Sequence, residues 1–413
     1  MTNQLKQDPF ASVRIPEFRF FAIGRFLFIM GLRMMGTLVG WWMYELTGDP
    51  LALGLIGLAE VVPAVSMALY AGHVVDRNDR RHMILRSAFL YCVCALLLLL
   101  TAGSFYGGFS SRSVTVSFIY IIIFATGVIR AFSGPSFGAI LSQLVPLPLL
   151  ANATTWSQGS WLTASVTGHA AAGFLIAGLG ITGTLCFILG LVVIALFIFR
   201  RLGSKPPPAQ TEQKTWESVK EGLRFVWTTR ELLAALTLDL FAVLFGGAVA
   251  LVPVFAKDIL QVGPVGFGWL NAAADFGAIV IVVILTLLPL QKNQGKILLF
   301  AVGGFGACMI LFGLSTWYWL SFLALFLAGI LDGISIVVRG TIVQLKTPNA
   351  LRGRVMSVNS MFVNSSNELG QFESGLAARL LGVVPSVVFG GCMTMAVVLA
   401  TWWKAPGLRK LQY

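Results

Sequence analysis

Arg33 and Arg130 interrupt long apolar runs in the first half of the chain, and Asp239, Asp275, Asp332, Glu368 and Glu373 interrupt those of the second. An ionised group in hydrocarbon costs about 2.5–3.5 kcal/mol on insertion scales, so each is expected to face water or a partner. The two signs suit different chemistry. Guanidinium groups hold anionic or catechol-rich molecules through paired hydrogen bonds, whereas carboxylates withdrawn from water can take up and release protons. Arg33 and Arg130 are therefore candidate ligands for an anionic or polar organic cargo. Asn364 and Asn367, in a polar stretch from Asn359 to Ser374, are candidate cargo-lining residues. Asp239, Asp275, Asp332, Glu368 and Glu373, with Glu60 from the first half, are candidate proton carriers. His169 joins them because imidazole changes charge near neutral pH. Asp332 and Arg339, seven residues apart, fall on one helical face. The competing reading of each charge is a structural ion pair, and of His169 a hydrogen bond between helices.

What must position these groups is a set of membrane spans. The 413 residues are 57% hydrophobic and only 11% charged, against about 25% charged in soluble domains. Runs of about 20 mostly apolar residues, long enough to cross a bilayer, occur near 18–44, 51–73, 82–103, 114–143, 150–178 and 181–200. In the second half they occur near 232–256, 266–290, 296–315, 318–345, 353–380 and 384–403. A barrel would instead show alternation in units of about ten residues. The net charge of +12 does not point to nucleic acid, because it is one-sided. About 22 of the 29 Lys and Arg residues fall in alternate loops and the two tails, against Arg112 and Lys257 in the opposite loops. Arg77, Arg80, Arg81 and Arg86 put the loop after the second span on the cytoplasmic side, and an even number of spans returns both basic termini there.

Pro206-Pro207-Pro208 stops the sixth span, and a polar stretch follows to Thr215. Trp216, Val219, Leu223, Val226 and Trp227 then recur at helical spacing opposite Glu217, Lys220, Glu221 and Arg224, the pattern of an amphipathic helix at the membrane interface. Residues 1–200 are expected to form one six-helix bundle, 201–231 a cytoplasmic linker, and 232–413 a second bundle, as in a duplicated transporter. Gln143-Leu144-Val145-Pro146 is echoed about 200 residues later by Gln344-Leu345-Lys346-Thr347-Pro348. No signal-peptide pattern is read in residues 1–18. All five cysteines lie in apolar runs and are expected to be buried free thiols, without disulfides or zinc.

The loop Gly72-His73-Val74-Val75-Asp76-Arg77-Asn78-Asp79-Arg80-Arg81 resembles the signature between the second and third spans of the major facilitator superfamily. Segments Tyr44–Gly54, Asp239–Ala248, Arg352–Ser360 and Ser366–Gly370 resemble the superfamily's bacterial enterobactin-exporter-like efflux branch. The resemblance covers nearly the whole chain. It implies an all-α membrane protein of the major facilitator fold, with 12 transmembrane helices in two six-helix bundles around a central cavity. It also implies that spans one, four, seven and ten line that cavity, so that Arg33, Arg130, Asp239 and Asp332 see water. Gly72, Asp76, Arg77, Arg80 and Arg81 would form a cytoplasmic latch, with Asp76 meeting the cations Arg352 and Arg354 at the start of span eleven. Two positions depart from the family pattern. Asp79 stands where the loop usually has glycine, and Gly168-His169-Ala170-Ala171-Ala172-Gly173 carries histidine where drug antiporters have proline.

The chain has no Gly-x-x-x-x-Gly-Lys-Ser/Thr loop for ATP, no His-Glu-x-x-His metal motif and no Gly-x-Ser-x-Gly elbow. The expectation is therefore a transporter and not an enzyme, without metal or cofactor. Its partners would be a small organic cargo, protons and the lipid bilayer, and it would act as a monomer in the bacterial inner membrane. Proton-coupled efflux of a siderophore-like molecule or hydrophobic drug is the leading function. The alternatives are an amphipathic lipid such as a lysophospholipid moved without proton coupling, and a non-transporting scaffold or sensor.

Overall fold

The structure is a computed structural model that describes residues 8–206, 215–288, 292–348 and 351–411. No strand occurs among the described residues. Apolar runs of this length must satisfy their own backbone inside a bilayer, and a helix does so within one segment. The helices are α1 (Pro16–Thr47), α2 (Pro50–Ser66), α3 (Ala68–Arg77), α4 (Arg80–Tyr106), α5 (Arg112–Leu144), α6 (Leu150–Phe199), α7 (Thr215–Thr228) and α8 (Arg230–Phe245). There follow the short α9 (Val252–Val254), then α10 (Pro264–Leu287), α11 (Gln294–Leu314), α12 (Tyr318–Lys346), α13 (Arg352–Leu381), α14 (Val383–Lys404) and the short α15 (Pro406–Arg409).

Nine segments among the described residues are long and apolar enough to cross a membrane. One of them, Leu147–Phe199, has 53 residues, roughly 80 Å at 1.5 Å per residue and far more than one crossing needs. Gly180, with φ 67° and ψ −174°, divides α6 into two stretches, as the separate runs at 150–178 and 181–200 anticipate. The run near 51–73 is divided between α2 and α3 at Met67, four residues after Pro63 removes a helical donor. α13 is too polar to register by composition, yet is a continuous 30-residue helix. With these, the helices fit the twelve spans expected. The echoed motifs close equivalent helices, α5 ending at Leu144 and α12 at Lys346.

One compact unit comprises Met1–Leu38 and Ser66–Thr211. Within it α4 packs against α5 and α6. Its centre is aromatic: Phe28 lies 5.4 Å from Phe137 and 5.3 Å from Tyr91, and Phe137 lies 5.7 Å from Phe199. Offset and edge-on pairs of this kind add stabilisation beyond the area they bury.

The other unit comprises Val39–Val65 and Glu212–Tyr413, so the C-terminal part of α1 and most of α2 group with it. Within it α12 packs against both α10 and α11, α14 against α11, and α13 against α8. Leu236, Leu299, Ile342, Val343, Val355 and Val358 form its core. α2 crosses α13 where Gly54 meets Gly375; a β-carbon on Gly54 would lie 3.1 Å from the Gln371 and Phe372 carbonyls. The run near 232–256 is not one helix. α8 stops at Gly246, and a β-carbon on Gly247 would lie 2.6 Å from the Gly370 carbonyl, so α13 approaches there because the side chain is missing.

The amphipathic segment forms α7, but it does not simply lie at an interface. Val226 is fully buried in the core of this unit with Leu223 and Phe225 against it, whereas Trp227 is 65% exposed. The side chains of residues 215–219, including Trp216 and Val219, lie outside the described residues. The expectation of buried thiols also needs correction. All five cysteines are free, and Cys92 and Cys94 are buried, but Cys186 and Cys392 are exposed. An apolar run signals burial in lipid as readily as burial in protein.

Candidate functional site

In the first unit, α1 and the first stretch of α6 run side by side in the same direction and meet at matched levels. At their start, Trp156 Nε1 and Asn152 Nδ2 each donate to the Pro9 carbonyl at 2.8 Å. Next, Arg25 Nη1 donates to the Ser157 hydroxyl and, at 3.5 Å, to the Ser157 carbonyl. Further along, the Arg33 guanidinium lies 5.0 Å from the ring centre of Trp161, a cation–π contact. Thr37 Oγ1 is 2.6 Å from His169 Nδ1 and donates to the Arg33 carbonyl at 3.0 Å.

Gly168 makes this seam tight. A β-carbon there would lie 2.8 Å from both Arg33 Cβ and the Met30 carbonyl. His169, standing where proline was noted as usual, thus tethers α6 to α1. Arg130, on α5, is half-buried and has a partner of its own.

In the second unit, Asp239 of α8 and Arg339 of α12 form a buried ion pair, 6% and 5% exposed. Asp239, Asp332 and Ser335 line a cavity of ≈10 Å³, about the room one water needs. Asp275 of α10 stands close enough to Asp332 for their charges to interact. Three of the acids singled out from sequence are therefore neighbours, with Arg339 beside them. Arg339 serves Asp239, from another helix, although Asp332 shares its face of α12. On α13, Glu368 is buried and accepts from Gln371 Nε2 at 3.0 Å, while α2 crosses there at Gly57, whose β-carbon would lie 2.9 Å from the Glu368 carbonyl. Glu60 and Glu373 are half-buried, and Glu60 has a partner. Asn367 is exposed and donates to the Val363 carbonyl at 2.9 Å. The Asn364 side chain lies outside the described residues.

The charged turn between α3 and α4 is stitched into its own unit. Arg80 is 9% exposed and donates through Nη1 to the Ala139 carbonyl at 2.8 Å, and Arg81 Nη2 donates to the Arg200 carbonyl at 2.8 Å. Gly72 is half-buried and Arg77 exposed. The side chain of Asp76 lies outside the described residues. Arg354 forms an ion pair with Glu221 of α7, and Arg352 donates to the Gln344 carbonyl at 3.4 Å.

Two features were not singled out from sequence as sites. Asp79, noted only as a departure from a family glycine, is the N-cap of α4. It accepts from the backbone of Arg81 at 2.8 Å and His82 at 3.3 Å, and from the Ser204 hydroxyl and the Lys205 backbone, the last at 2.9 Å. Burial acts to raise the Asp79 carboxyl, but the hydrogen bonds from Ser204, His82, Lys205 and Arg81 outweigh it and hold it below its ordinary value. An aspartate directly before a helical run is an N-cap signal, so this role was readable. The other feature is Arg25, which shares a cavity of ≈330 Å³ with Phe137, Ser157 and Gln158.

Residues 7–410 match the family of transmembrane secretion effectors. The enterobactin exporter EntS of Shigella boydii serotype 18 is 25% identical over 397 residues, covering 93% of this chain and 91% of that protein. The enterobactin exporter EntS of Escherichia coli O1:K1 is 24% identical over 397 residues, with the same shares covered. Among solved structures, a POT family transporter in complex with 5-aminolevulinic acid has a TM-score of 0.72 at 14% identity, covering 95% of this chain and 96% of that one. The nucleoside transporter NupG, solved as a point mutant, has a TM-score of 0.71 at 13% identity, covering 94% and 99%. These two likenesses show the fold alone.

Proposed function

The chain belongs to the transmembrane secretion effector family of the major facilitator superfamily, and from that premise we propose that it exports a small organic molecule by proton-coupled alternating access. It is a multi-pass membrane transporter and not an enzyme. The cargo is an anionic or polar molecule of siderophore-like or hydrophobic, drug-like character. The enterobactin exporters, 24–25% identical, support the siderophore side of this reading. In this proposal the protein sits in the bacterial inner membrane as a monomer with both termini in the cytoplasm, and residues 201–231 link two six-helix bundles.

The observation that carries the proposal is the sorting of interior charge. Arg33 lies over the Trp161 ring with its backbone tied through Thr37 to His169, a posture that leaves its donors available to a planar anion. Asp239 and Asp332 line one cavity, Asp275 lies close enough to Asp332 for their charges to interact, and Arg339 pairs with Asp239, which among these four groups is an excess of carboxylate. Such an excess is a natural place for a proton. Arg130 contributes a second cation toward cargo. Glu60, Glu368, Glu373 and His169 are the further proton-exchanging groups.

The test is transport in proteoliposomes under an imposed pH gradient, with a catechol siderophore, a lipophilic cation and a lysophospholipid as probes. Export of the siderophore or drug should drive proton movement the other way, and Asp332→Asn or Asp275→Asn should cut it at least tenfold. Transport indifferent to the gradient and to both substitutions would overturn proton coupling, and movement of the lysolipid alone would overturn the cargo class.

A further inference from the structure

The cavity beside Arg25 in the first unit has no role in the proposed transport cycle. It lies where α5 ends and α6 begins, at the same end of the helices as the charged turn. Arg25 enters it from α1, nine residues past Pro16 and so roughly 13 Å along the helix. Phe137 and Ser142 come from α5, and Thr154, Ser157 and Gln158 from the first turns of α6. Its volume of ≈330 Å³ falls at the lower end of the range for small-molecule sites, about 300–1,000 Å³.

The chemistry of its wall is one-sided. No carboxylate lines the cavity, and Arg25 makes no ion pair among the described residues. One arm of the guanidinium is fixed, with Nη1 on Ser157 and Cζ 5.9 Å from the Phe137 ring centre. Nε is buried and has no hydrogen-bond partner. Arg25 is half-buried, and with Nη1 on Ser157 and Nε covered, Nη2 is the donor left to meet an oxygen of an anion. Phe137, Leu141 and Leu150 supply an apolar side, while Thr154 and Gln158 are exposed at the rim.

We infer that this cavity is an oxyanion-binding subsite, in which Arg25 grips a carboxylate or phosphate borne on an apolar or aromatic body. It is separate from the Arg33–Trp161 pair, which lies two turns further along α1. Occupancy does not depend on the direction of transport or on proton coupling, so its failure and theirs are distinguishable. Two sources share the chemistry: a soluble aromatic acid arriving from the aqueous side, and the phosphate of a membrane lipid.

The test is equilibrium binding to the purified full-length protein in neutral detergent. The probes are 2-naphthoate and its uncharged amide, and lysophosphatidate and lysophosphatidylcholine. The acid, the lysophosphatidate or both should bind saturably, at least tenfold more tightly than the amide and the choline ester respectively. Whichever binds identifies the source. Arg25→Gln should weaken that binding at least tenfold, and Arg25→Lys should restore only part of it, because an ammonium lacks the planar fork. Gly138→Leu is the second variant. Gly138 lines the cavity and a β-carbon there would meet nothing within 4 Å, so the leucine should fill the space and block binding while Arg25 stays in place. Binding of neither acid, equal binding of acids and uncharged analogues, or unchanged binding in Gly138→Leu would each overturn the inference.

Discussion

Asp79 shows how much one side chain can do at the edge of a membrane domain. It caps α4 and holds Ser204 and Lys205, while Glu17 takes the Lys205 ammonium at 2.9 Å and the Gly203 backbone at 2.8 Å. Asp79→Ala should lower stability by about 1–2 kcal/mol for the lost cap alone, read as a fall in melting temperature in detergent. The effect should depend on pH. The native carboxyl is held below its ordinary value of 3.8, so its contribution is present above that value and is lost as pH falls through the depressed one. Wild type and variant should therefore differ at neutral pH and converge in acid. A constant gap down to pH 2 would show that the lost hydrogen bonds act without the charge.

At the scale of helices, glycine placement decides what can approach what. The seam that presents Arg25, Arg33 and His169 exists because α1 and α6 touch at Gly168. Gly168→Leu would press a branched side chain on the Met30 carbonyl, and overpacking of this kind typically costs about 1–3 kcal/mol. The expected outcome is a lower melting temperature with transport reduced more than tenfold, whereas Gly134→Leu, at a position with open space around its α-carbon, should melt like wild type. Equal melting of the two variants would refute the close-contact account.

The spans were legible because bilayer thickness imposes a length that composition reveals; the break at Gly180 falls between two expected runs, whereas the break at Gly246-Gly247 falls inside the run near 232–256 and was not anticipated. Pairings were not legible. Arg339 chose Asp239, a hundred residues away, over Asp332 on its own helix, and Arg25 chose Ser157 across the seam. Sequence spacing identifies which groups share a face of one helix, but a partner on another helix depends on packing that no local pattern encodes. The same limit applies to α7, where periodicity showed an amphipathic helix but could not show that Val226, and not Trp227, enters the core.

For the whole molecule, membership in the family rests on nearly all of the chain, and cargo rests on a handful of interior side chains. A fold can persist while its cargo changes, and the solved transporters at 13–14% identity illustrate how far the sequence can drift under it. The network around Asp79 also sets an order of events in the making of the protein. Glu17 and Asp79 are synthesised early, yet the groups they wait for, Gly203, Ser204 and Lys205, are among the last of their unit to leave the ribosome. Ribosome-bound chains ending a tunnel's length beyond Leu202 should stay open to protease near Glu17 and Asp79, and chains extended a few residues further should become resistant; identical patterns would show that the unit closes without them. On this account the short stretch after the sixth span is a clasp, and translation itself fastens it before the second half of the transporter begins to enter the membrane.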